Sequence, residues 1–600
     1  MTKKYKGILI FIVIIVIQVL VLVYWSNKKT NYHVDELYSM GYASCFTGEG
    51  DITWYITTSR EFCFDKWIKV SELKKYILLS DEEKFFNAPV MSLARKLTGL
   101  RNYFGFLNIA ESVADTVGVP LKGSLMLNVL LFAISEVFLI RLMKKLHTDY
   151  YVQCLSLTMF GFSSYMISMV EYVRFYMLLM MIALIVFNLL YDVWSTNKWL
   201  NIIAAEMGMG LFVYFAYLNS ELTMPFFGAL LICFIVALLC AKKWRQFILN
   251  VVVLVLGLVY LSITTSFLGI LFNPKKYAYL ENVWSASGQN IFNSSPSTVK
   301  EYFIWLKQLF ESHFFSNLWM VYLLLGAVTI CIIIASELQN EKKLRLNISN
   351  LNTATVCAFF FWIFVYIISS ISGHGRAFSI VMVLSIIILG IGELIGFRPK
   401  IRRITLSNDT LFVAVITGEL VIYTLFEALC RHEIWRYYCY GFVSFFIVIW
   451  YMIDRVMKKE SLQYVKRPVI VILTVFVAIN ALIPFKTRNI ENIYEDERVF
   501  IENVRNHRDL DVVLISEVEG ETVSRHEAYD CINLMPQESN VLFVDIAEYK
   551  YSKEKYPDQF ILWSYIERDI TEVIKDLKGN GYTIEDMGND HCSKAYVCKK

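Results

Sequence analysis

The sequence predicts a polytopic α-helical membrane protein with about 13 transmembrane helices and a small C-terminal extracytoplasmic α/β domain. Three observations predict it. Hydrophobic residues make up 56% of the chain and charged residues only 18%, with a mean hydropathy of +0.48. Soluble domains carry about 25% charged residues, so the apolar excess must face lipid or other membrane helices. Basic residues fall in alternate loops. After about residue 486, charged residues become frequent and apolar runs shorten.

Apolar spans fall near 7–25, 122–142, 151–170, 172–192, 199–218, 221–241, 246–270, 316–336, 354–372, 376–396, 410–428, 436–453 and 467–485. Each is near the ~20 residues that cross a hydrocarbon core. The first, preceded by Lys3, Lys4 and Lys6, lacks a small-residue cleavage site and reads as a retained anchor. Lys144-Lys145, Lys242-Lys243-Trp244-Arg245, Lys342-Lys343-Leu344-Arg345, Arg398–Arg403, and Lys458-Lys459 with Lys466-Arg467 all share the N-terminal side. The positive-inside rule makes that side cytoplasmic and the C-terminal domain extracytoplasmic, in a multi-pass cell-membrane protein. The loop near Asp192–Lys198 is almost neutral and adds little to this test.

The chain divides into a transmembrane catalytic unit, 1–485, and an extracytoplasmic domain, 486–600, with large outer loops at 26–121 and 271–315. Within the first loop, Val90, Leu93, Leu97, Leu100 and Phe104 form a helical stripe edged by Arg95, Lys96 and Arg101. That pattern suits either a helix lying on the membrane surface or one packed on the loop's own core. In the C-terminal domain, 511–515 and 541–545 read as buried strands, and 494–507 and 564–578 as helices. It shows no glycine-rich phosphate loop and no catalytic cluster. Net charge is +3, too small to suggest nucleic acid. Half of the 12 cysteines, among them Cys154, Cys233, Cys240, Cys331 and Cys357, lie in apolar spans, where they act as small hydrophobes. Cys45 and Cys63 share the first outer loop, which permits a disulfide without requiring one, and no spacing matches a zinc site.

Four polar constellations sit on the outer side. Directly after the first span comes His33-Val34-Asp35-Glu36-Leu37-Tyr38-Ser39. Carboxylates there suit proton abstraction or cation binding at the water–lipid boundary, one facing substrate and the other a basic or backbone partner. The plain reading is that Asp35 caps a helix beginning at Leu37 or Tyr38. The second is Glu171-Tyr172-Val173-Arg174-Phe175-Tyr176. Glu171 and Arg174, three apart, share a helix face there, either as an ion pair or with Arg174 free to hold a lipid phosphate. Tyr176 fits an interfacial belt equally well. The third, Arg431–Tyr438, carries Arg436 and Tyr437, with snorkelling as the plain alternative for Arg436. The fourth is Gly373-His374-Gly375-Arg376, where His374 and Arg376 join His33 as accessory candidates and a simple turn is the better reading of the hairpin.

The run "HVDELYS" after a first span, "EYVRFYMLL" at the fourth span, and "RYY" at Arg436 resemble the GT-C membrane glycosyltransferases. More narrowly, they are similar to the bacterial family related to protein O-mannosyltransferases and aminoarabinose transferases. The resemblance covers the layout of residues 1–480, through short motifs. It implies a GT-C-like fold and a polyprenyl-phosphate sugar as donor. It implies Asp35 as catalytic carboxylate with Glu36 as its neighbour, and Arg174 and Arg436 on the donor phosphate with Glu171, Tyr176 and Tyr437 beside them. Relatives often carry histidine–proline–proline before the surface helix, whereas this chain reads Asn87-Ala88-Pro89-Val90. The acceptor hydroxyl, on protein, lipid or wall polymer, and any need for a divalent metal stay open.

Two rival classes remain. A polysaccharide polymerase or ligase using lipid diphosphates also needs outer arginines, but not an acidic pair after the first span. A transporter or flippase needs mid-bilayer polar groups and inverted repeats with broken helices, and the sequence displays neither.

Overall fold

The computed structural model describes residues 3–43, 66–74, 78–79, 81, 84–85, 102–116, 122–220, 222–265, 296–314, 407–430, 432–458, 466–488, 490–516, 524–552 and 555–600. The helices begin with α1 (Lys3–Lys28), α2 (Val34–Ala43), the short α3 (Val70–Lys74) after strand β1 (Trp67–Lys69), and α4 (Asn102–Thr116). The membrane bundle continues with α5 (Gly123–Lys145), α6 (Tyr150–Phe162), α7 (Ser164–Glu171), α8 (Tyr176–Ser195), α9 (Trp199–Asn219), α10 (Thr223–Cys240) and α11 (Trp244–Thr265). After α12 (Pro296–Leu309) and a wide turn at Phe310–Phe314 come α13 (Asn408–Cys430), a tight turn at Trp435–Tyr438, α14 (Cys439–Met457) and α15 (Lys466–Thr487).

Among the described residues, eight helical stretches are long and apolar enough to cross a membrane. They lie in α1, α5, α8, α9, α10, α13, the Trp435 turn with α14, and α15. α8 is buried along most of its length and forms the centre of the bundle. The expected spans at 316–336, 354–372 and 376–396, and residues 266–270 of the seventh, lie outside the described residues. So do Cys45, Cys63, the Asn87–Val90 run, His374, Arg376 and the 90–101 part of the surface-helix stripe.

The span expected at 151–170 is interrupted. α6 ends at Phe162, Ser163 turns extended, and its hydroxyl caps α7 by accepting the Met166 N–H at 3.2 Å. A side-chain oxygen supplied to an orphan donor stabilises a restart at the point where the ladder breaks. Polar groups also occur at membrane depth, against the sequence-based expectation. Glu136, mid-way along α5, is fully buried, and Glu419 in α13 accepts a 2.7 Å hydrogen bond from Ser444 of α14.

Among the described residues, the basic loops at 144–145, 242–245 and 458–467 gather at one end of the bundle. Lys145 meets Asp192 at 2.7 Å, His147 meets Asp409 at 3.0 Å, and Lys466 meets Asp149 at 3.0 Å. Lys144 stands over Phe11 near the start of α1, and Arg455 also reaches Asp409. The acidic pair lies at the opposite end, because α1 runs the full height of the bundle between them. Three of the five basic loops thus form a basic end opposite the acidic pair, and those at 342–345 and 398–403 lie outside the described residues.

The C-terminal domain contains a turn at Glu495–Glu497, α16 (Arg498–Asn506), β2 (Asp511–Ser516), α17 (Ser524–Leu534), β3 (Asn540–Asp545), β4 (Gln559–Tyr565), α18 (Thr571–Gly579), β5 (Thr583–Asn589) and β6 (Ser593–Lys599). The sheet order is β1-β3-β2-β4-β6-β5. β2 pairs parallel with β3 and β4, and the remaining pairs are antiparallel. The strands read at 511–515 and 541–545 form as expected. The helix read over 564–578 forms in its second half only: the buried run Phe560-Ile561-Leu562-Trp563 belongs to a strand that completes the sheet centre and continues to Tyr565, and helix begins at Thr571. The edge strand β1 comes from the first large loop. One face of the sheet carries its own core around Tyr556, Phe560, Leu577 and Tyr582, and the other is continuous with the membrane bundle. α2 packs on α17 in that continuous core. The helix bearing the acidic pair is therefore clamped between the bundle and the C-terminal domain.

Candidate functional site

The site begins with the way α2 starts. Helix α2 opens at Val34, not at Leu37, so His33 occupies the cap position. His33 Nδ1 accepts the Asp35 N–H at 3.1 Å, and Glu36 Oε2 accepts the His33 N–H at 2.7 Å. The glutamate at the third helical position closes the reciprocal half of a capping box. Glu36 Oε2 also takes Lys29 Nζ at 3.0 Å, and its Oε1 takes the Val173 N–H at 2.8 Å. Glu36 is fully buried, and its roles as cap, ion-pair partner and anchor of the Val173 turn use both oxygens. Burial pushes its carboxyl above the usual range, against the pull of Lys29 and the two backbone N–H groups. Lys29, which the sequence reading did not single out, also donates to the Glu171 carbonyl at 3.0 Å.

Asp35 is thereby released from capping and faces Arg174 and Arg436. Its Oδ2 accepts Arg436 Nη2 at 3.0 Å and the Tyr172 hydroxyl at 2.8 Å. Arg174 Nη2 stands 3.7 Å from Oδ1, and its Nη1 donates to Ser39 Oγ at 3.2 Å. Arg436 stacks over the Tyr172 ring at 5.2 Å. The three charged side chains retain 24%, 15% and 17% exposure for Asp35, Arg174 and Arg436. They are neither sealed in the core nor free at the surface. The Nε–H groups of both arginines are buried without an acceptor.

Two guanidiniums face one carboxylate. Burial pushes the Asp35 carboxyl up, but Arg174, Arg436, His33 and the Tyr172 hydroxyl outweigh it and hold it at about 2. His33 is drawn down to about 3, chiefly by burial, and its accepting Nδ1 fits a neutral ring. The site therefore keeps one positive charge in excess and is built to attract an anion.

The structure brings together Asp35, Glu36, His33, Arg174, Tyr176, Arg436 and Tyr437. Tyr176 stacks on Tyr172 with ring centroids 6.0 Å apart and tilts against Tyr437 at 6.1 Å. The shared helix face read for Glu171 and Arg174 does not form. α7 ends at Glu171, and a turn closed by the Arg174 N–H on the Tyr172 carbonyl at 2.8 Å separates them. Glu171 instead accepts the Ser26 hydroxyl at 2.9 Å. Four further residues join the site. Tyr172 lies inside the quoted motif and carried the signal. Trp435 tilts against Tyr172 at 6.2 Å, and His313 stacks on Trp435 at 5.9 Å. His591 of the C-terminal domain stacks on His33 at 5.6 Å. Nothing in the sequence links residues 313 and 591 to residue 33.

No family model matches the chain, and no curated protein matches it. Among solved structures, the chain is similar to ArnT from Cupriavidus metallidurans, in its crystal structure bound to undecaprenyl phosphate. Sequence identity is 8%, the alignment covers 98% of this chain and 97% of that one, and the TM-score is 0.45. The chain is a polytopic α-helical membrane protein with a C-terminal α/β domain, and a cluster of one carboxylate and two guanidiniums lies at one end of the bundle.

Proposed function

We propose that the chain is a GT-C-type glycosyltransferase of the cell membrane. It moves a sugar from a polyprenyl-phosphate donor to an acceptor hydroxyl at the outer face. The carrying observation is Asp35 held between Arg174 and Arg436 at the end of an apolar bundle, opposite the basic loops. By the positive-inside rule the cleft then opens outward. An isoprenoid tail stays in the bilayer while its head group reaches the cleft.

The donor phosphate is a monoanionic diester, which matches the single excess positive charge. A lipid diphosphate brings more negative charge than the two arginines balance once Asp35 is counted, so the charge count favours the transferase over a polymerase or ligase. With both guanidiniums serving it, Asp35 is a weak base. A phosphate that takes up the arginine N–H groups weakens that hold and raises the basicity of Asp35 where it is needed. Asp35 then accepts the proton of the acceptor O–H as its oxygen bonds to C1 of the sugar. The C1–O bond breaks from the opposite face, and its electron pair leaves on the phosphate oxygen, which Arg174 and Arg436 stabilise. The anomeric centre inverts. Glu36 acts as a positioning residue, fixing the turn that aims Asp35 and Val173-Arg174.

The test is to incubate the purified chain in lipid with radiolabelled polyprenyl-phosphate sugars and envelope acceptors. Donor consumption that disappears in Arg436→Ala supports the reading. A folded chain that consumes no such donor sinks it.

A further inference from the structure

A second polar centre lies where the C-terminal domain meets the segment between α1 and α2. Asn31 is buried there, and its Nδ2 lies 3.2 Å from Asp530 Oδ1, 3.3 Å from Glu497 Oε2 and 3.5 Å from Asp590 Oδ2. An amide –NH2 has two protons, too few for three carboxylates. Among the described residues, no lysine or arginine forms an ion pair with any of the three. Their nearest cationic candidate is His591, whose Nδ1 is 2.8 Å from Glu497 Oε1. Glu497, Asp590 and His591 each present one ligand atom within 4.8 Å of the others. Asp590 is aimed by the Cys592 and Ser593 N–H groups, which hold its Oδ1 at 2.8 and 2.6 Å and leave Oδ2 toward the cluster.

An independent observation concerns Asp530, which comes from α17. It is 2% exposed, and its Oδ2 is buried with no hydrogen-bond partner. Three carboxylates buried this closely carry a large desolvation cost unless a cation or a shared proton compensates them, and a divalent cation compensates all three at once. We infer that Glu497, Asp530, Asp590 and His591 form a divalent-cation site. Carboxylates combined with one imidazole suit Mn²⁺ or Zn²⁺ better than Mg²⁺ or Ca²⁺, which prefer all-oxygen sets. The ligands come from the turn before α16, from α17 and from the β5–β6 connection. The ion thus pins these to Asn31, on the chain leading into α2, and orients the His591 ring that stacks on His33. Its role is to lock the C-terminal domain against the helix that carries Asp35.

The experiment uses the full chain purified in detergent without chelator, with metal content read by plasma mass spectrometry. About one Mn²⁺ or Zn²⁺ per chain is expected. Glu497→Gln and Asp590→Asn are each expected to lose it. Asp530→Asn serves as the milder variant if either fails to fold. Asp35→Asn should retain the metal, so failure of the transferase reading and failure of this site are distinguishable. EDTA should lower the thermal unfolding midpoint, and added Mn²⁺ or Zn²⁺ should restore it. A chain that takes up neither ion and unfolds identically with and without EDTA overturns the site. Uptake of Ca²⁺ alone overturns the assignment of His591 as a ligand.

Discussion

Replacing Asp35 with Asn separates two roles that the geometry assigns to one carboxylate. The fall of its pKa from 3.8 to about 2 measures how strongly Arg174, Arg436 and their neighbours favour the charged form. At about 1.4 kcal/mol for each pKa unit, that net hold is about 2 kcal/mol. Asn keeps the shape but gives most of that up, leaving two guanidiniums for an incoming phosphate. Polyprenyl phosphate should then bind more tightly, by a factor approaching roughly 30. Transfer should fall by roughly 10²–10⁴, the usual worth of general-base catalysis. Equilibrium binding of labelled polyprenyl phosphate to nanodisc-embedded chain, beside a donor-consumption assay, reads both. A variant that binds the lipid phosphate more weakly than the parent, or transfers at the parent rate, refutes the reasoning. The pH dependence follows from the same depressed value. The stability contributed by ionised Asp35 is complete above 3.8 and fades as pH falls toward about 2. Melting midpoints of parent and Asp35→Asn should therefore differ by a constant amount from pH 5 to 8 and converge only in strong acid.

Arg436→Lys should weaken polyprenyl-phosphate binding roughly 10- to 100-fold, because a point charge replaces a planar fork stacked on Tyr172; unchanged binding would remove Arg436 from the phosphate grip. Glu36→Gln breaks a fully buried pair with Lys29 and is expected to cost about 3–5 kcal/mol of stability. A midpoint within error of the parent would show that the Lys29–Glu36 knot is not what sets α2. Gly123→Ala drives a methyl group into the Ala110 carbonyl oxygen in α4, a backbone atom that cannot swing aside. A loss of about 1–3 kcal/mol is expected, read as a lower melting midpoint at unchanged donor specificity.

The sequence by itself determined the membrane architecture. Apolar length and alternating basic loops are local signals, because every backbone group in lipid must be bonded within its own helix. It also placed Asp35, Arg174 and Arg436 as candidates, since each is an ionisable residue at a span's edge. Tertiary structure alone decided the division of labour between Asp35 and Glu36. Adjacent residues on an unassigned backbone carry no direction, and only the start of α2 at Val34 turns one inward and the other to the two arginines. Tertiary structure likewise broke the third span at Ser163, made a strand of Gln559–Tyr565 and set Glu171 apart from Arg174. Contacts such as His33 with His591, or Asn31 with Asp530, join residues some five hundred positions apart. No periodicity records them, because they arise when the sheet domain and the membrane bundle close on one helix.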